Sequence, residues 1–138
     1  MLDYNTHIKK ESTFNTPPAF PIYVSMLTMR WLKENGGVAA MEKKNKEKAA
    51  ILYNEIDNNP LFEGAAAKED RSLMNVTFLL KEDKLQDAFL AACADAGCVG
   101  VKGHRSVGGF RASIYNAMPK SSVQVLVDVM KELGKKHG

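Results

Sequence analysis

The sequence predicts an α+β fold: a small, largely antiparallel sheet with helices packed on one face, preceded by a helical segment. Three observations carry this. Over residues 73–80, Met74, Val76, Phe78 and Leu80 fall on one face, the two-residue period of a strand with a buried side. The same period returns where Phe110, Ala112 and Ile114 alternate with Arg111, Ser113 and Tyr115, so a strand there buries one face and shows the other. Two stripes at helical spacing, Leu85, Phe89, Ala92, Cys93, Ala96 and then Val123, Leu126, Val127, Met130, Leu133, mark helices with one apolar side. The order strand-helix-strand-strand-helix packs both helices on one face of the sheet. Its other face carries Arg111 and needs a cover.

From the N-terminus, residues 1–20 show no periodicity and lead into Asn15-Thr16-Pro17-Pro18-Ala19-Phe20-Pro21, where prolines fix an extended path and then permit a helix start. The helix expected over Pro21 to Glu34 is apolar almost all round, with Ile22, Tyr23, Val24, Met26, Leu27, Met29, Trp31 and Leu32, and stops at Asn35-Gly36-Gly37. Such a helix must be covered on every side, by a central position in one core or by another domain or subunit. The chain therefore divides into residues 1–37, a connecting segment and interface helix, and 38–138, a small α/β domain. A second helix from Val38 to Asp57 has a stripe of Val38, Met41, Ala49, Leu52 and Ile56, interrupted by Glu42-Lys43-Lys44-Asn45-Lys46-Glu47-Lys48, which reads as a solvated face. Asn58-Asn59-Pro60 ends it, and the stretch to Arg71 reads as loop with Gly64 in a turn, or a short strand at most. Glu82 and Asp83 open the helix that stops at Gly97; a short strand near Cys98 to Val101 follows. Pro119 and Ser121 open the final helix, ended by Gly134 and a basic tail.

Composition narrows the function classes. At 138 residues, 45% hydrophobic, the chain can bury a core. A net charge of +3, with basic residues spread among 16 acidic ones, gives no dominant basic face, and no aromatic-basic interleaving accompanies the lysines, so nucleic-acid binding is not indicated. No apolar run approaches the roughly 20 residues that span a bilayer, and Met1-Leu2-Asp3-Tyr4 lacks the regions of a signal peptide; the reading is of a cytoplasmic protein. Cys93 and Cys98 lack C-x-x-C spacing and a histidine cluster, so they read as small buried hydrophobes, with no metal site.

The stretch Gly103-His104-Arg105-Ser106-Val107-Gly108-Gly109-Phe110-Arg111-Ala112-Ser113 places one histidine and two arginines around a glycine turn. Arginine presents a planar fork of donors that matches carboxylate or phosphate bidentately. Gly108 and Gly109 allow positive φ and close approach of backbone to a ligand. From the residues alone, this is either a site for two anions or a doubly anionic molecule, or a hairpin with solvated surface charges.

The Asn15-Thr16-Pro17-Pro18 start, the stretch Gly103 to Ser113 with Ile114-Tyr115-Asn116-Ala117 after it, and the opening Leu2-Asp3-Tyr4 together resemble the phosphoserine aminotransferase family. These are class-V, fold type I enzymes dependent on pyridoxal phosphate. The resemblance covers essentially the whole chain and matches the C-terminal part of the family. It implies that Arg111 binds the α-carboxylate of the amino or keto acid, that His104 and Arg105 contact the substrate phosphate, and that Asn15 and Thr16 reach the cofactor phosphate in the neighbouring subunit of a homodimer. It also implies that the Schiff-base lysine, the aspartate facing the pyridine nitrogen and the residue stacked on the ring lie upstream of Met1. No catalytic residue is then expected on this chain, which alone would be inactive, bind no cofactor, and hold about half of a substrate site. The intact protein would move an amino group from glutamate to 3-phosphohydroxypyruvate in serine biosynthesis, with phosphorylated hydroxythreonine, in pyridoxine biosynthesis, as a related substrate. The family has a Met before Leu-Asp-Tyr within its full chain, so Met1 reads either as a start or as an internal residue. A reading of another class stands beside this one: a self-contained regulatory module that binds an amino-acid or phosphorylated anion at the glycine turn without chemistry. A proline-led, all-apolar helix has no use in such a module.

Overall fold

The structure is a computed structural model that describes residues 2–105 and 108–137. Met1, and Ser106 and Val107 of the glycine stretch, lie outside the described residues. The chain forms two compact units, Met1–Val38 and Ala39–Gly138.

In the first unit, α1 (Tyr4–Ile8) is a single short helix started by Asp3, whose carboxylate accepts from the Asn5 N–H at 2.9 Å. No element was expected before Pro17; the Asp3 cap supplies the start there. α2 (Ala19–Glu34) follows the prolines and ends as expected: the Asn35 amide donates to the Trp31 carbonyl at 2.9 Å, and Gly36 and Gly37 take φ of 91° and 73°, which glycine alone adopts freely. None of its residues is buried. Phe20 is 76% exposed and Met29 66%.

The second unit holds the core. α3 (Gly37–Asn58) runs into β1 (Phe62–Gly64), then β2 (Asn75–Leu80), α4 (Gln86–Asp95), β3 (Phe110–Ser113) and α5 (Lys120–His137), with single 3₁₀ turns at Lys68–Asp70 and Asp83–Leu85. The three strands form an antiparallel sheet in the order β1-β2-β3, with Phe62 opposite Leu80, Phe78 opposite Phe110 and Thr77 opposite Arg111. Val76, Phe78 and Leu80 are buried and alternate with half-buried neighbours, as the period requires. Four phenylalanines lock the sheet to α4: Phe89 meets Phe62 edge-on at 5.3 Å and Phe110 at 4.9 Å, while Phe110 stacks on Phe78 at 5.4 Å, geometries that add to area burial. All five apolar residues assigned to the final helix are buried.

Four local expectations are corrected. Val38 is 74% exposed, and the buried stripe of α3 runs through Met41, Asn45, Lys48, Ala49, Leu52 and Ile56, so the charged run is not wholly a solvated face. Helical spacing carries Asn45 and Lys48 inward among their charged neighbours. The strand near Cys98 to Val101 is reduced to one bridge, Lys102 with Phe110, because Gly97 and Gly100 take φ of 77° and 75° and turn the chain away. Gly134 does not stop α5, which continues to His137. Its lack of a side chain serves packing instead: a Cβ there would lie 2.8 Å from the Asn59 amide. That buried amide donates to the Met130 carbonyl at 3.0 Å and to Glu55 at 2.8 Å, and its oxygen accepts from the Leu61 N–H at 3.1 Å. Asn59 thus joins the end of α3, the start of β1 and α5.

Candidate functional site

α4 ends at Asp95, and the Cys98 N–H donates back to the Cys93 carbonyl at 2.7 Å, closing a tight helix end at Gly97. From Val101 the chain meets β3 as a hairpin. The Arg111 N–H donates to the Val101 carbonyl at 2.7 Å, Gly103 N–H to Gly109 at 2.9 Å, and Gly108 N–H to His104 at 2.8 Å. Three glycines make this closure possible. A Cβ on Gly103 would collide with the Gly108 carbonyl oxygen, and one on Gly109 would lie 2.9 Å from the Phe78 carbonyl oxygen. Gly108 and Gly109 also take φ of 76° and 62°, the region where a side chain is strained.

The hairpin sorts the candidate residues. His104 and Arg105 are exposed at its tip, and Arg111 is exposed at its base on β3. Arg111 has Phe110 and Ala112, both buried, on either side, so the strand is fixed while the guanidinium projects from the open face. Neither Arg105 nor Arg111 forms an ion pair among the described residues. An open groove beside the strand is lined by Cys98, Val99, Gly100, Arg111, Ser113 and Met118, among others. Asn15 and Thr16 belong to the other unit, where both are exposed in the stretch between α1 and α2. Their amide and hydroxyl are neutral donors of the kind that suits a phosphate oxygen.

Several residues that shape the site were not read from the sequence. On the open face, the Asn75 amide oxygen accepts from the Ser113 hydroxyl at 3.3 Å and the Tyr115 hydroxyl at 3.2 Å; cross-strand register places Asn75 beside Ser113. On the buried face, Lys48 donates to the carbonyls of Ile114, Tyr115 and Met118 at 3.0, 2.7 and 3.1 Å, and Asn45 donates to the Asn116 amide oxygen at 2.7 Å. Burial holds the Lys48 ammonium pKa below the ordinary lysine value. Extending the apolar spacing of α3 through 45 and 48 would have exposed this pair. The cysteines are packing residues: Cys93 is buried, and burial pushes its thiol up to about 12, so it is not a nucleophile at neutral pH. Among the described residues no cluster could hold a metal ion and no helix is long and apolar enough to cross a membrane.

Residues 1–126 match the model of the aminotransferase class-V family. The phosphoserine aminotransferase of Parabacteroides distasonis is 62% identical over 139 residues, covering 99% of this chain and 39% of that protein. That of Flavobacterium johnsoniae is 62% identical over 136 residues, with 99% and 38% covered. The solved phosphoserine aminotransferase from Bacillus circulans subsp. alkalophilus superposes with a TM-score of 0.89 at 41% identity over 98% of this chain and 38% of its own. The pyridoxal-phosphate-bound enzyme from Trichomonas vaginalis gives 0.82 at 42% identity over 94% and 37%. The chain thus spans about two fifths of the length of the curated relatives it matches.

Proposed function

This chain belongs to the class-V aminotransferase family, and on that premise we propose that it supplies the substrate-anion side of a phosphoserine aminotransferase. The reaction moves an amino group from glutamate to 3-phosphohydroxypyruvate, giving 2-oxoglutarate and O-phosphoserine, in the cytoplasm and in a homodimer. Phosphorylated hydroxythreonine is a second substrate of the same shape. The observation that carries this is Arg111, exposed and without an ion pair among the described residues, on a strand that both neighbouring segments hold in register.

Arg111 takes the α-carboxylate through its bidentate fork. His104 and Arg105 take the second anion of the substrate, a phosphate or the side-chain carboxylate of glutamate, so one site serves both reactants. Asn15 and Thr16 hold the cofactor phosphate of the neighbouring subunit. Pyridoxal phosphate supplies the electron sink for the transfer when bound. The lysine that tethers it and moves the proton is not among the residues assigned to this chain, so the chain alone recognises substrate without converting it.

Titration with O-phospho-L-serine, followed by amide shifts, tests the reading. Signals of 103–105 and 108–113 are expected to move, and Arg111→Gln to weaken binding about tenfold or more. Arg105→Gln should weaken phosphoserine more than glutamate; equal losses would remove its phosphate role. Product formed above the uncatalysed rate from this chain, pyridoxal phosphate, glutamate and phosphohydroxypyruvate would overturn the division of labour.

A further inference from the structure

Lys48 is 2% exposed, and no carboxylate pairs with it among the described residues. A buried ammonium is costly unless its protons are satisfied. Here three protons meet three acceptors, the carbonyls of Ile114 and Tyr115 at 3.0 and 2.7 Å and that of Met118 at 3.1 Å. Ile114 directly continues β3, and Met118 lies just before α5. The ammonium therefore ties the end of the strand to the entry of the helix. One turn earlier on α3, Asn45 donates to the Asn116 side chain at 2.7 Å, in the middle of the same turn.

The opposite face is fastened too. Asn75 accepts the Ser113 and Tyr115 hydroxyls, and the Ile114 N–H donates to the Met74 carbonyl at 2.9 Å. A methionine or leucine at 48 would continue the buried stripe of Met41, Ala49, Leu52 and Ile56 and seal the core without a buried charge. What the lysine adds is a fixed direction for the strand three residues after Arg111.

We propose that Lys48, supported by Asn45, is a positioning residue for Arg111, locking the Ile114–Met118 turn from inside the core so that the guanidinium presents one geometry to the substrate carboxylate. The inference rests on the assignment of Arg111 to that carboxylate. A bidentate contact tolerates displacements well under an ångström, so slack in this turn reads out at Arg111 before it unfolds the sheet.

The test compares three variants of this chain with O-phospho-L-serine as probe. Lys48→Met is expected to weaken binding about tenfold. Leu61→Ala removes a buried side chain next to β1, at the far edge of the sheet; at a comparable loss of stability it should keep affinity within about twofold. Arg111→Gln reports on the underlying assignment: binding as tight as the parent overturns the carboxylate reading, and the strut's purpose with it. If Arg111→Gln weakens binding while Lys48→Met does not, or while Leu61→Ala weakens it as much as Lys48→Met, the positioning role alone is overturned. Should Lys48→Met fail to fold, Asn45→Ala carries the same test by hydrogen exchange. The amides of Arg111 and Ile114 should then exchange about tenfold faster, with that of Phe78 unchanged; uniform or absent acceleration sinks the proposal.

Discussion

The two units of this chain treat large apolar side chains in opposite ways. In Met1–Val38, Phe20, Ile22, Tyr23, Met29 and Trp31 are all exposed and no described residue is buried. In Ala39–Gly138, Phe62, Phe78, Phe89 and Phe110 lie together with almost no exposure. The side-chain chemistry is alike; the difference is in what each element has to pack on. A helix that is apolar all round has no single face to bury, and the unit it belongs to contains one other helix of five residues. The second unit offers a sheet face and three amphipathic helices, each with a stripe that matches it. Apolar content by itself therefore does not say which segment stabilises the fold. The packed unit carries the stability and the groove with Arg111; the other carries surface.

The comparison breaks most sharply under large-to-small substitution. Phe78→Ala removes a ring that stacks on Phe110 and meets Phe62 and Phe89 edge-on, and should cost about 4 kcal/mol, transfer and cavity terms together. Trp31→Ala, a larger truncation on α2, should change stability by no more than about 0.5 kcal/mol. Urea midpoints of the two variants decide it, and similar losses would mean that α2 belongs to the cooperative unit.

How far the sequence was legible follows the same line. The final helix was readable because Val123, Leu126, Val127, Met130 and Leu133 form one uninterrupted stripe, and β2 and β3 because alternation is a strong local signal. Arg111 was readable on the open face for the same reason. Lys48 and Asn45 were hidden: their residue types and charged neighbours argue for solvent, and only the carbonyls of a segment some 66 to 71 positions away make burial affordable. Gly134 misled because glycine near a helix end usually marks a stop, whereas here it leaves room for Asn59. The closure of the hairpin by Gly103 against Gly108 is likewise a tertiary fact, although the glycines themselves announce a turn.

A smaller effect belongs to the margin of the packed unit. Arg71 donates to both oxygens of Asp57 at 2.8 and 2.6 Å and lies 4.5 Å from the centre of the Tyr53 ring. These hydrogen bonds hold the Asp57 carboxyl below its ordinary value of 3.8. A carboxylate with a depressed folded-state pKa stabilises above its unfolded value and loses that contribution as pH falls through the folded one. Arg71→Gln should therefore cost about 0.5–1 kcal/mol at neutral pH, solvent screening of this exposed pair included, and the gap between variant and parent should close as pH drops below about 4. A gap that persists at low pH would assign the loss to the Tyr53 contact instead of the ion pair.

The smallest expected effect sharpens the comparison most, because it asks whether the apolar surface of α2 contributes to folding at all. Met29 is 66% exposed and lines an open apolar groove with Pro21, Ile22 and Met26. Met29→Lys keeps helix propensity nearly unchanged and removes no buried area, so the melting midpoint should stay where it is. What should fall is the surface's affinity for an apolar probe: contiguous exposed patches bind such dyes, and a lysine head in the middle of one divides it. Anilinonaphthalene sulfonate fluorescence of the folded chain should drop while the unfolding curve is unmoved. A midpoint lowered by several degrees would show that this face is packed in solution, and α2 would then count among the elements that stabilise the fold.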